Sequence, residues 1–128
     1  MGKSKELTIL DDIDNDCAPT AIWYVSGKTE EEVLRVCIEN GFTDELGMTD
    51  PQWKRAARSL TIEFNRVAMK PVKLSDFIAD HPTGLYLVRT YNHILVVDDG
   101  EVIDLRNVNA PGLNRKVIAS YKVKQPSV

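Results

Sequence analysis

At 128 residues, with 43% hydrophobic and 27% charged residues, the chain is long enough to bury the core of one globular domain. Its 16 basic and 19 acidic residues give a formal charge of −3, and the basic residues are scattered rather than clustered, so no nucleic-acid partner is expected. No apolar run approaches a bilayer span, and the opening "MGKSKELTILDD" has neither an apolar signal-peptide core nor, with Glu6, the Ser or Thr of a myristoylation signal, so no membrane association and a cytoplasmic location are expected.

Residues 1–13 read as a lead-in. In "DIDNDCAPTAIWYVSG", Asn15 or Asp16 is suited to cap a helix running from about Cys17 to Ser26, because a short polar side chain accepts from the free amides of a first turn. Pro19 falls in that turn, where its missing N–H costs nothing, and Gly27 stops the helix. Thr29 and Glu32 make a capping box for a second helix, "EEEVLRVCIEN", which buries Val33, Val36 and Cys37 on one face and ends at Gly41. Asp50-Pro51 opens a third helix whose apolar stripe is Trp53, Ala57, Leu60 and Phe64. Ser75 is expected to cap a short turn, "DFIADH", closed by Pro82.

After Gly84 the texture changes. "LYLVRT", "HILVVDD", "EVIDL" and "KVIASYKV" are strand-like, with Asp99-Gly100 a hairpin turn between the second and third and residues 106–115 a polar loop. Helices first and a mostly antiparallel sheet second define an α+β class, expected as one domain over residues 1–128 with a helical part at 14–80 and a sheet part at 84–123.

Three residues stand out together. Cys17 heads a helix, where unpaired amides favour an anion and so suit a nucleophilic sulfur. His93 starts a strand, and an imidazole is the usual proton shuttle for a thiolate near neutral pH. Asp104 lies inside "EVIDL", where aspartate is disfavoured, and the turn at Asp99-Gly100 brings that strand back towards the end where His93 begins. A carboxylate there can accept from the imidazole and fix its tautomer. The remaining candidates read as structural: His81 as a helix-end residue bonded to free carbonyls, Cys37 as a small core hydrophobe, Asp98 and Asp99 as turn residues. Asp11, Asp12, Asp14 and Asp16 lack the glycine and distal glutamate of an EF-hand, and the cysteines and histidines lack paired ligand spacing, so no metal and no cofactor is expected.

The order of Cys17 on a leading helix and then His93 and Asp104 on a sheet resembles the papain-like cysteine peptidases. Locally, "DCAPTAIWYVSGKTEEEV" is similar to the Asp-Cys-Gly-Pro-Thr-Ala-Leu opening of the bacteriocin-leader-processing (double-glycine) peptidases and to small phage and bacterial proteins that open with Asn-Asp-Cys. "KLSDFIADHPTGLYLVRTYNHILVVDDGEVID" resembles their second half, so the likeness runs over roughly residues 14 to 123. It implies a papain-like fold, a peptide or protein substrate cleaved at a peptide or isopeptide amide, and a setting in a bacterial or phage-infected cell. It assigns Cys17 as nucleophile, His93 as general base and Asp104 as orienting acid. One departure is plain: "ILDDIDND" has no Gln where such enzymes carry an oxyanion donor, which leaves the Cys17 amide and the Asn15 side chain as candidates. The alternative reading is a papain-fold binding module without turnover, such as a phage accessory or anti-defence protein.

Overall fold

The structure, a computed structural model, describes residues 17–91, 93–103 and 115–124. It is an α+β protein whose chain divides into two compact units, Met1–Ile62 and Glu63–Val128. No helix among the described residues is long and apolar enough to cross a membrane.

The described residues of the first unit form three helices, α1 (Cys17–Ser26), α2 (Glu30–Glu39) and α3 (Asp50–Ser59), which touch one another pairwise. α1 buries every residue from Ala18 to Tyr24, so it has little polar face to show. It ends at Gly27, whose φ of 72° suits a residue without a Cβ, while the Ser26 hydroxyl accepts from the Lys28 amide at 3.1 Å. Half of the expected box of α2 is present: Thr29 Oγ1 accepts from the Glu32 amide at 3.1 Å, but the Glu32 side chain does not return a bond to the Thr29 amide. α3 starts at the Asp-Pro pair, with its cap one residue ahead. Thr49 is its N-cap, with Oγ1 accepting from the Gln52 amide at 3.3 Å and Gln52 Oε1 accepting from the Thr49 amide at 2.9 Å, a reciprocal box with Pro51 in the first turn. Trp53, only 1% exposed, donates its indole N–H to Asp50 Oδ1 at 2.9 Å, so its one polar atom is satisfied.

The expected stripe of α3 is corrected at its end. Trp53, Ala57 and Leu60 are buried, but the helix stops at Ser59 and Phe64 belongs to a strand. The chain turns at Thr61, which sits at a φ of 64°, and the amides of Thr61 and Ile62 close the helix on the carbonyls of Arg58 and Ala57.

The described residues of the second unit form an antiparallel sheet with one helix. Its elements are β1 (Phe64–Arg66), β2 (Val72–Lys73), α4 (Leu74–Asp80), β3 (Leu85–Thr90), β4 (His93–Asp98), β5 (Glu101–Ile103) and β6 (Lys116–Val123). The order is β1-β6-β3-β4-β5, with β2 also on β6. Ser75 lies within α4 rather than capping it: the N-cap is Lys73, which makes no side-chain cap bond. Leu74 and Phe77 of α4 pack on Tyr86, Val88, Leu95, Val97 and Val117. Each such aliphatic or aromatic side chain contributes about 1.5–3 kcal/mol on burial. The opposite face of β3 and β4, with Leu87, Ile94 and Val96, is buried as well. Burial on both faces is why "LYLV" and "ILVV" read as continuous apolar runs instead of alternating.

The β4–β5 turn falls where the Asp-Gly pair predicts it. Asp99 and Gly100 have φ of 50° and 82°, the paired positive values of a type I′ turn. Asp99 also anchors the entry to β3: its amide donates to Gly84 O and its Oδ1 accepts from the Gly84 amide, each at 2.8 Å.

Candidate functional site

Cys17 is the first residue of α1 and is half-buried, with a free thiol, while the seven residues behind it are buried. A helix anchored by its whole body and open at its first residue is a rigid mount for a reactive group, since the first-turn amides have no intrahelical acceptors. The other thiol is in the opposite situation. Cys37 has no exposed surface, sits among the core residues of α2, and burial pushes its pKa from 9.0 up to about 12. The thiolate is the reactive form, so Cys37 is inert at neutral pH.

This shift has a consequence for stability. A thiol that holds its proton more tightly when folded contributes fully below its unfolded pKa near 9.0 and loses that contribution as pH rises towards about 12. Cys37→Ala is therefore expected to cost about 1–2 kcal/mol at pH 7, as small core truncations do. In denaturant melts from pH 8 to 11, wild type should lose more stability than Cys37→Ala. A difference between the two that stays constant over that range would contradict the burial argument.

His93 opens β4 and is half-buried. It stands opposite Thr90 at the closing pair of the β3–β4 hairpin, with Tyr91 and Asn92 between them in the chain. Arg89 fixes this end of the hairpin. Its Nη1 donates to Thr90 O at 2.9 Å and to His93 O at 3.0 Å, so one guanidinium holds the carbonyls of both members of the pair.

His81 is committed elsewhere. It is the C-cap of α4, its Nδ1 lies 3.1 Å from Phe77 O, and its ring stacks on Phe77 with centroids 4.5 Å apart. Tyr86 packs edge-on to both rings, at 5.3 Å from His81 and 5.4 Å from Phe77. That is a structural helix end, as the sequence predicts for His81.

Of the residues singled out from sequence, then, Cys17 lies in the first unit and His93 in the second, each at the start of its element. Asp104, Asn15 and the capping residue Asp16 lie outside the described residues, as does most of the 106–115 loop. Sequence reasoning passed over Thr90 and Arg89. A threonine in "LYLVRT" looks like an ordinary β-branched strand former, and only the register shows that it faces His93. No protein-family model matches the chain, and no curated protein or solved structure matches it.

Proposed function

We propose that this protein is a papain-like thiol hydrolase acting on a peptide or isopeptide amide of a protein substrate, in the cytoplasm of a bacterial or phage-infected cell. The observation that carries the reading is the contrast between its two thiols: Cys17 reaches solvent at the head of a buried helix, whereas Cys37 is sealed in the core with its pKa raised to about 12. The order of helices followed by an antiparallel sheet agrees with it.

In this mechanism the Cys17 sulfur attacks the carbonyl carbon and its proton passes to His93. The oxyanion accepts from the Cys17 amide and the Asn15 side chain. The C–N bond breaks as His93 returns the proton to the leaving amine, and a thioester to Cys17 remains. Water then attacks the thioester, giving one proton to His93, and collapse releases the carboxylic acid and restores the thiol. Asp104 accepts from the His93 ring and holds its tautomer throughout.

A peptide carrying a thiol-reactive electrophile tests the reading. Intact-mass and peptide-mapping analysis should find Cys17 modified and Cys37 untouched in the folded protein. Failure to modify Cys17 would leave the protein as a binding module rather than a hydrolase.

A further inference from the structure

The short strand β2 meets β6 in a register that sets Val72 opposite Val117 and Lys73 opposite Lys116. Val117 belongs to the core beneath α4 and Val72 packs against it, so alternation along the strands sends Lys73 and Lys116 out together on the reverse side. Both lysines are exposed. Directly opposed residues carry their Cβ atoms about 4.5–5.5 Å apart, and like charges so placed weaken the pairing. The backbone gives them no relief. Just beyond the pair the Leu74 amide donates to Arg115 O at 2.8 Å and holds the register. Neither ammonium has a hydrogen-bond or ion-pair partner among the described residues.

The surface beside the pair is apolar. The described residues of the second unit expose two large apolar side chains, Tyr91 at 82% and Ile118 at 38%, and both stand next to Lys116. Ile118 lies two residues along the same strand, at the step that β3 skips between Arg89 and Thr90. Thr90 pairs with Val117, so Tyr91, the residue after Thr90, comes level with Lys116 at the margin of the sheet. This surface lacks an anion to offset the repulsion and a cover to take Ile118 and Tyr91 out of water.

We propose that Lys73 and Lys116 form a docking site for an acidic peptide segment of a partner protein. One carboxylate of the segment bridges the two ammonium groups, since its two oxygens accept from both donors at once. A neighbouring apolar side chain of the segment packs on Ile118 and Tyr91. A segment of mixed acidic and apolar residues fits this surface better than a nucleic acid does. Phosphate backbones are held by many cations acting together, whereas this chain has a formal charge of −3 and offers an isolated lysine pair here. The site is separate from the thiol chemistry proposed above. His93 pairs with Thr90 in the row of Val117, so Lys73 and Lys116 project from the opposite side of the sheet. The docking site holds or fails whatever Cys17 does.

The experiment is an NMR titration of the isotope-labelled full chain at low salt with the synthetic peptide Glu-Leu-Glu-Phe-Glu, its counterpart Gln-Leu-Gln-Phe-Gln, and an oligothymidylate. The acidic peptide should move the amide signals of Lys73, Lys116, Ile118 and Tyr91, and the glutamine peptide should not. Lys73→Gln and Lys116→Gln should each weaken binding by about 2–5-fold, the range of one exposed ion pair, and the double variant by about 10-fold. Lys28→Gln, at an exposed lysine of the first unit, should change nothing. Stability should move the other way: Lys116→Gln relieves the repulsion at Lys73, so its thermal midpoint should rise by a few degrees. An acidic peptide that leaves these amides unmoved at about 1 mM, or that binds the double lysine variant as well as wild type, overturns the proposal. So does an oligothymidylate that moves the same amides at lower concentration than the peptide, or a shift of these amides with protein concentration alone, which would make the occupant a nucleic acid or a second copy of this chain.

Discussion

Cys17→Ala is expected to abolish amide hydrolysis, a loss of about 10⁴-fold or more, while the fold persists. Removing the sulfur removes the covalent route altogether, and what remains of an acyl-transfer site without its nucleophile is only binding and oxyanion stabilisation. The fold should tolerate the change because Cys17 is half-buried at the first position of α1, and the residues that fix that helix are Ala18 to Tyr24 behind it. Alanine is a good helix former and loses little there, so the thermal midpoint should stay within a few degrees of wild type. Activity assays on purified Cys17→Ala and Cys37→Ala separate the two thiols. Should Cys37→Ala be the inactive one at a temperature where it is folded, the assignment is reversed.

The second large effect is expected at the proton shuttle. His93→Gln keeps a polar side chain at the start of β4 but can neither take nor return a proton, and Asp104→Asn can no longer fix the imidazole tautomer. Each should lower turnover by about 10²–10⁴-fold with little change in stability. Asp99→Asn is the matched control. Asp99 is a turn residue at a φ of 50° whose Oδ1 accepts from the Gly84 amide, and asparagine supplies the same oxygen and tolerates the same backbone. Kinetics in which Asp104→Asn is as active as Asp99→Asn would reduce the triad to a Cys17–His93 dyad.

Much of this architecture is local and therefore readable from the sequence. The termini of α1 and α2, the Thr29 cap and the Asp99-Gly100 turn each follow from a few adjacent residues. The start of α4 was harder, because Ser75 has the chemistry of a cap yet the backbone already turns helical at Leu74. β1 and β2 were hidden for another reason. They are three and two residues long, with no alternation to betray them, and exist because they pair with β6 some fifty residues later. β6 itself carries an irregularity, since Arg89 and Thr90 face Ala119 and Val117 and skip Ile118. The same limit applies to the candidate site. Cys17 and His93 are visible as residue types at element starts, whereas the unpaired hydroxyl of Thr90 is a product of tertiary burial.

The rate at which a peptide electrophile modifies Cys17, compared between wild type and His93→Gln, tests the central claim that His93 serves this thiol. Cys37, buried and protonated, is the internal control in the same molecule. At neutral pH the account predicts modification of Cys17 in wild type, none of Cys37, and a rate at Cys17 lowered by about 10²-fold in His93→Gln, as loss of a general base entails. Equal rates at Cys17 in the two proteins would contradict it.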